Sequence, residues 1–87
     1  MKNEIDSHFI LGVFDKIRQH GEVVDNEYHL EGVKAFTDFD GYTVFIEDAL
    51  VKLRFGFHNQ YHFDYEKQEH MEAFEQKLKQ IDKNYMS

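Results

Sequence analysis

The chain contains no cysteine, which excludes disulfides and thiolate metal sites while leaving the compartment open. Proline is absent as well, so no prolyl bond slows folding. No stretch approaches the ~20 apolar residues that a helix needs to cross a bilayer. The N-terminus, Met1-Lys2-Asn3-Glu4-Ile5-Asp6, lacks the apolar run of a secretory signal, and a cytoplasmic location is the expectation. Cations are scarce, with ten Lys and Arg against seventeen Asp and Glu for a net charge of −7. That field keeps a small domain soluble and repels polyanions, which argues against nucleic acid and anionic membranes as partners. Serine occurs only at positions 7 and 87, with no glycine-rich elbow around Ser7. No phosphate-binding glycine loop is present, and no acid–base pair stands out among seventeen carboxylates. The composition therefore points away from an enzyme and implies no cofactor.

What the chain does have is a core. Its 87 residues fit one domain spanning 1–87, and 41% are apolar, including nine Phe and five Tyr. Each aromatic ring buries roughly 150–250 Å². At this size about 60% of the unfolded surface is buried, so a deep, walled cleft is hard to build.

Phe9, Ile10, Val13, Phe14 and Ile17 recur at one-face helical spacing, which predicts a helix over Ser7 to His20. Asp6 suits its N-cap, and Ile5 with Ile10 suits a hydrophobic staple. Gly21 suits a left-handed stop, and Gly12 suits close approach of a neighbouring element. Glu22 to Glu27 read as a polar connector, and Glu31-Gly32 as a bulge. Asp40-Gly41 is a two-residue hairpin signal; it pairs Lys34 with Glu47, Ala35 with Ile46, Phe36 with Phe45 and Phe39 with Tyr42. A second tight turn at Asp48-Ala49 pairs Ile46 with Val51, Val44 with Leu53 and Tyr42 with Phe55. One face then collects Val33, Ala35, Val44, Ile46, Val51, Leu53, Phe55 and Phe57. The other collects Lys34, Phe36, Asp38, Thr43, Phe45, Glu47, Lys52 and Arg54. A one-residue slip would invert both faces.

His58 to Tyr65 read as a loop. Asp64 then caps a second helix over Tyr65 to Asn84, with Met71, Phe74, Leu78, Ile81 and Tyr85 on one stripe and Glu75 able to pair with Lys79. The fold class expected is α+β. Its order is α-β-β-β-α, a two-layer sandwich in which both helices cover one face of a three-stranded antiparallel meander. Helices on both faces would bury Lys34, Glu47, Lys52 and Arg54.

Three stretches, Gly12 to Glu22 (GVFDKIRQHGE), Leu30 to Ile46 (LEGVKAFTDFDGYTVFI) and Phe57 to Tyr65 (FHNQYHFDY), resemble a small uncharacterised family from gammaproteobacteria. The resemblance spans nearly the whole chain. It implies a bacterial cytoplasmic protein and assigns no role to any residue.

Two kinds of functional surface emerge. His58, His62 and Asp64 combine imidazole nitrogen with carboxylate oxygen, donors that suit Zn²⁺ or a similar metal. They lack a diagnostic frame such as two His one helical turn apart, and the plainer reading is that they are polar loop residues capping the second helix. A metal- or small-anion-binding loop is thus the second reading. Phe36 and Phe45, with Lys52 and Arg54 beside them, form the first. Aromatics bordered by cations resemble a stacking platform for single-stranded nucleic acid, but the −7 charge opposes that use. The same make-up matches the core and rim of a protein interface. The first or third strand of the meander would also leave an open edge. The stripe of the second helix could zip to a copy of itself, although two heptads make a short coiled coil. Self-association through Phe36 and Phe45 as a homodimer is the favoured reading.

Overall fold

A computed structural model describes residues 6–39, 41–56 and 60–85. The expected roles of Ile5, Asp40, Phe57 and His58 lie outside those residues.

Helix α1 (Ser7–His20) starts as its sequence dictates, with the Asp6 carboxylate accepting from the Phe9 amide at 2.9 Å. It buries Ile10, Val13 and Ile17 completely. Its end differs from expectation, because Gly21 is extended (φ −83°) instead of left-handed. Glycine is required there for space: a Cβ would lie 2.5 Å from the Ile17 carbonyl oxygen and 2.7 Å from that of His29. Gly12 meets nothing within 4 Å, so the close approach expected of it does not occur.

Among the described residues the sheet has six strands, not three, all antiparallel and in sequence order: β1 (Glu22–Val24), β2 (Glu27–Leu30), β3 (Val33–Thr37), β4 (Val44–Glu47), β5 (Lys52–Phe55) and β6 (Tyr61–Asp64). The segment expected as a connector is the β1–β2 hairpin. It turns through Asp25 and Asn26, both at positive φ (52° and 68°), the backbone signature of a tight primed turn. Glu31 and Gly32 do the same at 55° and 80°, so a hairpin turn replaces the expected bulge. It still returns Tyr28 and Leu30 to the core side.

The β3–β4 register is the expected one, with Lys34 opposite Glu47, Ala35 opposite Ile46, Phe36 opposite Phe45 and Thr37 opposite Val44. The Asp38 amide donates to the Thr43 carbonyl at 3.0 Å, and the Asp38 carboxylate accepts from the Gly41 and Thr43 amides. Phe39 and Tyr42 project past this closure into solvent.

The β4–β5 register differs from expectation by two residues, pairing Ile46 with Leu53 and Val44 with Phe55. Asp48 explains the shift. Its amide donates to the Val51 carbonyl, and its Oδ1 accepts from the Leu50 and Val51 amides at 2.8 Å each. The reversal therefore spans residues 48–51. Because the slip is even, both faces keep their residues.

Residues expected as a loop form β6, pairing with β5 so that Tyr61 and Phe63 point to the core. Asp64 is therefore a strand residue opposite Lys52 and not a helix cap. Helix α2 (Gln68–Asn84) begins later than expected, and Lys67 at its N-cap makes no side-chain capping bond. Met71, Phe74, Leu78 and Ile81 are buried in the chain's own core, so the stripe is not available to zip to another chain. Lys16 ties the helices together by donating to the Asp82 carboxylate at 2.7 Å and its carbonyl at 2.9 Å. Glu75 pairs with Lys79 at 3.6 Å as expected.

Both helices join Val33, Ala35, Ile46, Val51, Leu53 and Phe55 in a single core. The architecture is α+β, with that one sheet face supplying the buried residues. Among the described residues, no helix is long and apolar enough to cross a membrane.

Candidate functional site: the open face of the sheet

Strand geometry puts alternate residues on opposite faces. Since Leu53 and Phe55 enter the core, Lys52 and Arg54 must leave it, and the burial of β5 alternates accordingly. The same parity sends Glu27 and His29, Lys34 and Phe36, Phe45 and Glu47, and His62 and Asp64 to the face away from the helices. Register then sorts them into two rows. One runs Glu22, His29, Lys34, Glu47, Lys52, Asp64 from edge to edge, and the other runs Phe36, Phe45, Arg54, His62.

Phe36 and Phe45, expected as a cross-strand pair, stack with ring centroids 4.9 Å apart and planes inclined by 12°. Both are half-buried. The Lys34 ammonium lies 5.9 Å from the Phe36 centroid, 3.6 Å from Glu27 and 3.9 Å from Glu47. Lys52 and Arg54, also expected here, are exposed and make no ion pair among the described residues.

Across the six strands this face carries three cations (Lys34, Lys52, Arg54) and four carboxylates (Glu22, Glu27, Glu47, Asp64). With histidines neutral it is nearly balanced, three cations against four carboxylates, so most of the −7 of the chain resides elsewhere. Asp38, just past β3, directs its carboxylate to turn amides.

Of the candidate metal ligands, His62 and Asp64 fall on this same face, opposite Arg54 and Lys52. No group of three His, Asp or Glu side chains suited to a metal ion occurs among the described residues. A depression of about 180 Å³ lies between Phe45, Arg54 and His62, smaller than the roughly 300–1,000 Å³ typical of small-molecule sites. A concavity of about 620 Å³ opens where the face meets the β2–β3 and β4–β5 turns, but its lining mixes Lys34 and Lys52 with Glu31, Glu47 and Asp48 and gathers no strong charge of one sign.

Glu27, His29 and the His62–Asp64 pair join the face although sequence reasoning placed them in loops or left them unassigned. The signal was present: YHFD alternates with period two, and Asp25-Asn26 suits a primed turn. The edges expected at the first or third strand of the meander also move outward. β2 and β6 cover those positions, leaving β1 and β6 as the outer strands.

No curated protein and no solved structure matches the chain. A family model does, over residues 5–87, under the description "Protein of unknown function (DUF3081)". A match over nearly the full length, on a chain whose open sheet face and helix-covered core have just been described, places this protein in the DUF3081 family.

Proposed function

We propose that the protein is a cytoplasmic interaction module, not an enzyme, and that it self-associates through the open sheet face centred on Phe36 and Phe45. One observation carries this reading: a stacked, half-buried aromatic pair sits on a nearly charge-balanced face of a molecule whose net charge is −7. Two copies of such a chain repel, and they repel least where the local charge cancels. The same balance disfavours a nucleic-acid platform, which needs cations in excess to displace counterions.

Area sets the strength. Six strands at about 4.8 Å spacing and about 15 Å of strand length give a face of roughly 430 Å² in projection. With side-chain relief, a face-to-face pair buries on the order of 1,000 Å² in total, the size class of weak, transient complexes. Association is therefore sought by sedimentation or light scattering from about 5 to 500 μM, which brackets a micromolar constant. Dimer growth across that range that Phe45→Glu abolishes supports the reading. A monomer mass throughout, with and without the substitution, refutes it.

A further inference from the structure

We infer that the two copies meet about a two-fold axis lying in the interface, parallel to the strands and between β3 and β4, so that Arg54 of each covers the partner's Glu27. This rests on the proposed self-association and adds its geometry.

The open face is nearly charge-balanced overall but not uniform. Around β2 to β4, Glu27 and Glu47 flank the single cation Lys34. On β5, Lys52 and Arg54 stand two residues apart on one side of the strand, neither in an ion pair among the described residues. One half thus leans acidic and the other basic, a pattern that can satisfy itself once turned over.

Two in-plane axes bring this face onto itself. An axis perpendicular to the strands exchanges the two rows on each strand, which sets Lys52 over the partner's Arg54 and Lys34 over the partner's Phe36. That stacks two unpaired cations. The axis parallel to the strands exchanges β3 with β4 and β2 with β5 while keeping each row on itself. Phe36 then meets the partner's Phe45, and Lys34 meets the partner's Glu47. Glu27, one step past the Tyr28–Ala35 pair and hence in the Phe36 row, meets the partner's Arg54. His29 falls over the partner's Lys52, where a neutral imidazole can accept from the ammonium. Like charges meet only at the rim, Glu22 against the partner's Asp64.

Packed sheets cross at about 30°, and this does not scramble the central contacts. At about 7 Å from the axis such a rotation shifts a residue by about 4 Å, less than the roughly 7 Å between rows. At β1 and β6 the shift approaches a full row, which separates the rim carboxylates.

The test uses two single variants, Glu27→Arg and Arg54→Glu, alone and mixed. Each alone places like charges at both copies of the contact, and its dimer constant should weaken about tenfold or more. Mixed in equal amounts they restore both contacts. At one, the introduced arginine of the first variant faces the introduced glutamate of the second; at the other, the unaltered Arg54 faces the unaltered Glu27. Sedimentation should then show a heterodimer at concentrations where each variant alone is monomeric. Bulk charge cannot cause this, because each swap changes the charge by two, taking −7 to −5 in one chain and −9 in the other. Both remain acidic and repel. Wild-type dimers, Phe45→Glu monomers and an unassociated mixture would overturn this geometry while leaving the self-association reading standing. Arg54→Glu homodimers as tight as wild type would also overturn it. A wild-type monomer at every concentration removes both.

Discussion

Replacing Asp48 with alanine removes one carboxylate that three donors share. The Leu50 and Val51 amides and the Lys77 ammonium each approach it at 2.8 Å, and its side chain is only 5% exposed. Hydrogen bonds to a charged group contribute about 1.5–3 kcal/mol apiece, and an amide left without a partner in a closed turn costs about 1–3 kcal/mol. Lys77 is itself exposed and regains water, so its bond counts for the lower end or less. The two amides dominate, and Asp48→Ala should destabilise the domain by about 3 kcal/mol. In a chain of this size that lowers Tm by roughly 12–24 °C. Asp48→Asn keeps an oxygen for the turn amides and loses the ionic contact, so it should cost about 1 kcal/mol. Urea unfolding followed by far-UV circular dichroism measures both.

The pH dependence has a definite sign. Burial pushes the Asp48 carboxyl upward, but the Lys77 and backbone hydrogen bonds outweigh it and hold the group below its ordinary value of 3.8. A depressed folded-state value stabilises the fold above 3.8, and the contribution vanishes as pH falls through the depressed value. The stability gap between wild type and Asp48→Asn should therefore be constant from pH 7 to pH 5 and close below pH 3.8. An Asp48→Ala cost under about 1 kcal/mol, less than one ordinary hydrogen bond, or a gap unchanged at acid pH, would refute the keystone role of this turn.

Two further substitutions test α1. Gly12 lies inside the helix with nothing within 4 Å of an added Cβ, so Gly12→Ala should stabilise by about 0.5–1 kcal/mol in the same urea assay. Gly21→Ala should do the opposite by about 2 kcal/mol or more, because its methyl would press on the Ile17 and His29 carbonyl oxygens; a neutral result would mean the α1–β1 corner is looser than its packing indicates.

The weak association expected from the size of the open face also bears on how the sheet is used. A face of three cations and four carboxylates around two rings has little bulk charge with which to attract a partner, so under the proposed self-association any selectivity comes from pattern. Such surfaces give specificity more than affinity.

The residue pattern alone determined helix α1 with its Asp6 cap, the buried stripe of α2 though not its start, and the division of residues 33–55 into two faces. It also placed Phe36 against Phe45 and put Lys52 and Arg54 on the same side. These follow from periodicity and from one hairpin, which are local and survive even a wrong turn, since a slip of two residues between β4 and β5 leaves every side chain on its face. Tertiary structure decided the rest. β1 and β6 are three and four residues long; the Asp25-Asn26 turn and the alternation of YHFD are compatible with strands, and pairing with β2 and β5 makes them so. The 48–51 reversal depends on a carboxylate that α2 reaches from far along the chain, and the role of Gly21 depends on a β2 carbonyl arriving beside it. Contacts between segments distant in sequence leave no periodic trace in the segments themselves, so only the assembled core could settle them.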